Sequence, residues 1–262
     1  DYYASRGLGD VYKRQVWQIT GDGDCLAIGG NHFIHALRRN VDLNIILLNN
    51  KIYGLTKGQY SPTSDRGAVT KSSPYGTVED PFVPAELTFG ARGHFFARAI
   101  DVDLAVSKEV MVEAGRHKGA SVVEILQNCV IFNDHIHSYV ADKEFRAERT
   151  IHLKHGEKML FGKDLNKGLV LDGFTLKAVT IGENGVTLND ILTHDATTRD
   201  NFLHQRLAMM DGHELPLAVG TSIFTKAFPI IGPPPITFPV SSGRPPQASI
   251  NCFIGVPIRA RK

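Results

Sequence analysis

Along the first half of the chain, apolar residues gather into short runs whose period changes from run to run. Val16-Trp17-Gln18-Ile19-Thr20 reads as a short buried strand, stopped by the turn residues Gly21-Asp22-Gly23-Asp24. From Ile28 to Arg39 the positions Ile28, Phe33, Ala36 and Leu37 fall on one helical face. Residues 43–48 are apolar nearly throughout, as in a strand covered by helices on both faces. Strand, helix and strand within about 35 residues make a βαβ unit with a right-handed crossover.

A polar loop from Asn49 to about Asp80 interrupts this alternation, which then resumes. A helix is expected over 81–89, a strand over 95–100, a helix over 103–117 and a strand over 121–126. The fold class is therefore α/β, a doubly wound, mostly parallel sheet with a small C-terminal appendage. Four segments are expected: a non-native end segment over 1–15, an α/β domain over 16–133, a subdomain over 134–220 and an irregular tail over 221–262. In the subdomain the pattern weakens, leaving strand candidates near 169–171 and 178–181. The tail carries Gly232-Pro233-Pro234-Pro235 and Arg244-Pro245-Pro246, which suit neither a helix nor a paired strand.

Bulk properties narrow the function classes. The net charge of +2 on 262 residues gives no reason to expect nucleic acid or an anionic membrane as partner. No apolar run approaches the roughly 20 residues of a membrane span. Cys25, Cys129 and Cys252 show no short pairing pattern, which points to a reducing cytoplasm rather than a disulfide framework.

The chemistry concentrates at the strand ends, because ligands of parallel sheets bind outside the carboxyl ends of the strands. Gly21-Asp22-Gly23 lies at that end of the first strand, and Asn49-Asn50-Lys51-Ile52 at that end of the second. On adjacent strands they bring together an Asp carboxylate, an Asn amide oxygen and a loop carbonyl. Three hard oxygen donors suit Mg²⁺, which takes one or two carboxylates together with phosphate oxygens. The glycines allow backbone to approach a phosphate, and the next helix offers free amide groups. The plain alternative is a pair of turns with no ligand.

The strings GDGDCLAIGGNHFIHALRRN and LLNNKIYGLTKGQYSPTS then add a resemblance. GDG followed by NN resembles the thiamine-diphosphate motif, and both strings resemble the beta subunits of 2-oxoacid:ferredoxin oxidoreductases, of the 2-oxoglutarate type. The similarity runs from about Val16 to about Ala218. It implies a thiamine-diphosphate-dependent oxidoreductase that converts a 2-oxoacid, coenzyme A and oxidised ferredoxin to an acyl-CoA, CO₂ and reduced ferredoxin, working only with an alpha subunit. It also implies that the side chains of Asp22 and Asn50 and the carbonyl of Ile52 hold Mg²⁺. Gly21, Gly23 and Asp24 would line the diphosphate, with Gly29 and His32 nearby. Tyr53, Gly54, Leu55 and Thr56 would form the loop around cofactor and metal, Lys57 would contact the substrate, and the loop that follows would cover it.

Cys129 matches a ligand of the family's [4Fe–4S] cluster, whose other ligands lie upstream of the GDG. No cysteine precedes Cys25 in this sequence, so the chain reads as lacking its amino-terminal segment, and one thiolate cannot assemble such a cluster. A non-redox thiamine-diphosphate decarboxylase or synthase, and a non-catalytic fragment, stay open beside the oxidoreductase. Pyruvate stays open beside 2-oxoglutarate. His32 and His35 lie one turn apart without a carboxylate at ligand spacing, and His135 and His137 read as solvated.

Overall fold

The computed structural model describes residues 15–198 and 200–224. The remainder of the end segment, the tail beyond residue 224 and Cys252 lie outside the described residues. Four parallel strands form the first part of the sheet: β1 (Val16–Gly21), β2 (Leu43–Asn49), β3 (Phe95–Ile100) and β4 (Ser121–Leu126). Helix α1 (Gly30–Arg38) connects β1 to β2, α2 (Pro84–Gly90) precedes β3, and α3 (Leu104–Arg116) connects β3 to β4. The two-residue period of the strands sorts the core into two layers. Ile45, Leu47, Phe96 and Val122 pack against Phe33 and Leu37 of α1 and Phe89 of α2. Ile46, Phe95, Ala97, Val123 and Ile125 pack against Val106, Val110 and Ala114 of α3.

The sheet then continues through α4 (Ser138–Ala141), α5 (Lys143–Arg149), β5 (Thr150–Leu153), β6 (Leu160–Phe161), β7 (Lys167–Asp172), β8 (Thr175–Thr180), α6 (Phe202–Ala208) and β9 (Leu217–Phe224). The nine strands run in the order β1-β2-β4-β3-β9-β5-β6-β7-β8. Because β9 pairs antiparallel with β3 and parallel with β5, the C-terminal part extends the same sheet. It carries its own core of Ile151, Leu153, Met159, Leu169 and Leu207.

Several expectations need correction. The first strand is not buried: Val16 is 46% and Ile19 68% exposed, because among the described residues β1 is an edge strand paired with β2 alone. Ile28 is exposed and lies outside α1, because the chain makes a π turn (Asp24–Ile28) before the helix proper begins. Ile34 takes a partly buried place against the core instead. Helix α2 starts at Pro84 rather than residue 81. A proline at the first helical position loses no hydrogen bond, and it holds Val83 before it in extended backbone. The tail expected to be irregular from residue 221 is still strand there, since Thr221 pairs with Ala97 and Ile223 with Phe96.

Candidate functional site

Gly21, Asn49 and Leu126 close adjacent parallel strands, so the segments that follow them emerge on one edge of the sheet. Strand order doubles back between β2 and β3, with β4 inserted between them, which opens a crevice at this edge. Into it project the turn after β1, the turn after β2 and the loop after β4.

Asp22 sits at the floor of that edge, 1% exposed. Its Oδ2 accepts hydrogen bonds from Ser61 Oγ at 2.6 Å and Thr63 Oγ1 at 2.6 Å. Among the described residues Asp22 makes no ion pair. Burial pushes its carboxyl above the ordinary range, and the two hydroxyls and the nearby backbone amides pull it part of the way back. Gly23 must be glycine, because a Cβ there would run into the Tyr53 ring. That ring reaches across to Asp24, whose Oδ1 accepts from the Tyr53 hydroxyl at 2.6 Å, and this bond raises the phenol's pKa. Gly29 leaves no room for a side chain either, with the Asp24 carbonyl against it. His32 lies exposed on α1.

The turn after β2 is held from several sides. Lys51 adopts φ 55°, a strained conformation for a residue with a side chain. Its ammonium pairs with Asp65 at 2.7 Å, and its carbonyl accepts from Ser64 Oγ at 2.7 Å. Asn50 Oδ1 accepts from the Ile52 amide at 3.3 Å, while Asn50 Nδ2 donates to Gln127 Oε1 at 3.2 Å. Asn133 Nδ2, from the loop after β4, donates to the Asn50 carbonyl at 2.9 Å. Ile52 is buried. Beyond it a Tyr53–Gln59 bridge closes a small loop in which Gly54, Leu55, Thr56 and Lys57 are all exposed. Lys57 lines a cavity of about 360 Å³ with Lys51, Lys71, Ile131 and Phe132.

The structure thus gathers the GDG turn, Asn50, Ile52 and the 53–57 loop at one edge. It links Asp22 directly to Ser61 and Thr63, and the neighbouring Asn49 enters the same network through Thr63. Sequence reasoning assigned no role to Ser61, Thr63, Asn49, Glu124 or Asn133. A signal existed: three hydroxyl residues around Pro62, and one glutamate inside the otherwise apolar strand SVVEIL. The first part of the long loop folds inward, with Ser61, Thr63 and Ser64 buried. His137 is not solvated but 2% exposed, since its Nε2 lies 2.9 Å from the Asn49 carbonyl beneath the turn. His135 is exposed.

The cysteines are apart from this chemistry. Cys25 is buried, and its thiol is pushed up to about 12 by burial and by Asp22 and Asp24. Cys129 is half-buried in a turn closed by the Asn133 amide on its carbonyl. Among the described residues no three His, Cys, Asp or Glu side chains cluster as metal ligands. The two described thiols, Cys25 and Cys129, are fewer than the four that a [4Fe–4S] cluster takes. The Asp22 carboxylate, the Asn50 amide oxygen and the Ile52 carbonyl are oxygen donors of the kind that hard cations take.

Comparison with known proteins agrees with this geometry. Residues 6–125 match the thiamine pyrophosphate enzyme, C-terminal TPP binding domain. The 2-oxoglutarate oxidoreductase subunit KorB of Mycobacterium tuberculosis is 49% identical over 185 residues, 71% of this chain and 49% of that protein. The 2-oxoglutarate synthase subunit KorB of Archaeoglobus fulgidus is 50% identical over 111 residues, 42% of each. The chain spans about half the length of the curated relatives it matches. A solved 2-oxoglutarate:ferredoxin oxidoreductase from Magnetococcus marinus, with 2-oxoglutarate, coenzyme A and succinyl-CoA bound, superposes with a TM-score of 0.58 at 26% identity. That match covers 86% of this chain and 62% of the other. A thiamine-pyrophosphate-binding domain at this sheet edge, carried on a sequence of this kinship, makes the chain a member of the 2-oxoacid:ferredoxin oxidoreductase beta-subunit family.

Proposed function

We propose that the chain is the beta subunit of a 2-oxoglutarate:ferredoxin oxidoreductase, binding thiamine diphosphate through Mg²⁺ and working with an alpha subunit, coenzyme A and ferredoxin. The observation that carries this reading is Asp22, a buried carboxylate with no cationic partner among the described residues, set beside the strained turn of Asn50 and Ile52. An ionised carboxylate out of water is costly without a positive charge, and a divalent cation supplies one. Asp22, Asn50 and the Ile52 carbonyl are the proposed metal donors. Gly21, Gly23, Asp24, Gly29 and His32 are the proposed surroundings of the diphosphate.

When bound, thiamine diphosphate supplies the nucleophilic carbon and the electron sink that decarboxylation of a 2-oxoacid requires. The protein's part is to hold and orient. Tyr53, Gly54, Leu55 and Thr56 form the wall beside the metal donors, with the Tyr53 hydroxyl tied to Asp24. Lys57 and Lys71 line the same cavity, where Lys51 is paired with Asp65, and offer positive charge to the carboxylates of a 2-oxoacid, so directing its orientation. Cys129 carries no role in this reading, since the described residues hold two thiols, Cys25 and Cys129, and a [4Fe–4S] cluster takes four. No helix of the described residues is long and apolar enough to cross a membrane.

The test is calorimetric titration of thiamine diphosphate in the presence of Mg²⁺, on the full chain mixed with a candidate alpha subunit, comparing wild type with Asp22→Ala. Binding by wild type that disappears in the variant is expected. A folded and assembled wild-type sample that binds no cofactor would overturn the assignment.

A further inference from the structure

A line of polar side chains runs from the middle of the sheet to the Asp22 turn, and nothing in the proposed cofactor set uses its inner end. Arg98 on β3 and Glu124 on β4 are register partners in adjacent strands, with side chains 5% and 2% exposed. Arg98 Nε donates to Glu124 Oε2 at 2.6 Å. The other carboxylate oxygen, Oε1, accepts from Asn49 Nδ2 at 2.7 Å. An ionised carboxylate only accepts, so the amide nitrogen of Asn49 must face Glu124 and its Oδ1 must face the opposite way.

On that opposite side Asn49 Oδ1 has two neighbours. One is Thr63 Oγ1 at 2.9 Å, which also lies 2.6 Å from Asp22 Oδ2, so its one proton is shared between the carboxylate and the amide oxygen. The other is the Lys51 amide at 3.3 Å, inside the turn that carries Asn50 and Ile52. A single oxygen therefore ties together the loop that holds Asp22 and the turn that presents the other two proposed metal donors. Were the amide reversed, its NH₂ would confront the Lys51 N–H, and two donors would meet.

We infer that Glu124, anchored by Arg98, is a positioning residue for the metal site: it locks the orientation of the Asn49 amide and thereby holds the Asp22 loop and the Asn50–Ile52 turn in one arrangement. The inference rests on the Mg²⁺–thiamine-diphosphate reading. It goes further, in making a residue of the sheet interior control metal affinity. Glu124 touches neither cofactor nor substrate in this account and is not a catalytic residue. Residues that orient metal ligands from behind commonly change affinity by about 10- to 100-fold when altered.

The substitution Glu124→Gln gives a directional test. Arg98 Nε–H still needs an acceptor, so the new amide turns its oxygen to Arg98 and its NH₂ to Asn49. Asn49 must then reverse, losing the Lys51 amide bond. In the double variant Arg98→Met/Glu124→Gln nothing holds the new amide that way round, and its oxygen is free to face Asn49 again. The probe is thiamine diphosphate with Mn²⁺ as the metal, followed by Mn²⁺ electron paramagnetic resonance and by calorimetry on the full chain with its alpha subunit.

Wild type should bind, Glu124→Gln should bind Mn²⁺ about tenfold more weakly, and the double variant should recover to within about threefold of wild type. A purely structural role would make affinity follow stability, because the double variant also relieves the stranded Arg98 charge. Urea unfolding of each variant is therefore measured beside the titration, and Glu124→Gln should still bind more weakly under conditions where it is fully folded. If Glu124→Gln does not fold, the comparison is between the double variant and Arg98→Met/Glu124→Leu, which differ in having an acceptor at position 124. The leucine variant should then be the weaker binder. Equal affinity of wild type and Glu124→Gln, or no advantage of the glutamine double variant over its comparison, would overturn the positioning role while leaving the cofactor reading intact. A folded wild type without binding would overturn both.

Discussion

Two buried carboxylates near the sheet edge are handled in opposite ways. Glu124 has Arg98 against it, whereas Asp22 has only hydroxyls and backbone amides. The first arrangement is self-sufficient, and in the proposed reading the second would gain its positive charge from the cation. Because both members of the Arg98–Glu124 pair lie out of water, removing one partner strands the other. Arg98→Met should cost about 3–5 kcal/mol of stability, whereas replacing both partners with apolar residues should cost far less. Urea unfolding of the two variants checks this, and a single substitution no more harmful than the double one would contradict it. The sequence displayed the outer residues of this site and hid the inner ones. Asp22 and Asn50 sit in turns, where a Gly-Asp-Gly or Asn-Asn at a strand end reads as ligand chemistry. Ser61 and Thr63 act from far along the chain, and only the folded loop brings their hydroxyls to Asp22. Asn49 shows its role only through the direction of its amide, which spacing cannot reveal.

Among the elements, legibility followed the strength of the local rule. Strands β3 and β4 fall on the residues expected, because a short apolar run between polar turns has one reading in an alternating α/β pattern. Helix α3 begins one residue after Asp103, whose carboxylate accepts from the Val106 amide at 3.2 Å as an N-cap. Asp103→Ala should lower stability by about 1 kcal/mol without altering cofactor binding, since α3 packs in the core layer opposite α1 and α2. Thermal unfolding paired with the cofactor titration separates those effects, and a shift in affinity at unchanged stability would refute it. The β7–β8 hairpin was legible only in part. Its two-residue turn is Gly173-Phe174, and Gly173 at φ 60° supplies the left-handed first central position that such hairpin turns require. Strand β9 was not legible at all, because pairing with β3 is a contact across more than a hundred residues. Local periodicity carries no information about it.

At the scale of the molecule, the sheet joins two halves of different character. Tight apolar layers cover β2, β3 and β4, while the region around β9 and α6 buries uncharged histidines. His204 on α6 is fully buried, 6.0 Å from the His194 ring and 6.2 Å from Phe89 between ring centres. Neither of its ring nitrogens has a hydrogen-bond partner among the described residues, although the Thr198 backbone is close enough to favour the charged form slightly. Burial, helped by His194, lowers its pKa to about 4, and burial likewise lowers His117 under Phe95 to about 4. Unfolded histidine takes its proton near pH 6.5, so between about pH 6.5 and 4 the unfolded chain binds protons that the folded chain refuses. The stabilisation these residues permit is complete above pH 6.5 and is lost as pH falls towards 4. Each contributes at most about 1.4 kcal/mol per pH unit in that window. Replacing His204 with phenylalanine, which matches the aromatic surroundings and cannot titrate, should flatten the fall by up to one such slope and leave stability near pH 8 less changed than stability at pH 5. Urea midpoints measured from pH 8 to pH 4.5 decide the matter. Parallel curves for wild type and variant would mean that His204 is protonated in the folded state after all, and that its neighbours accommodate the charge.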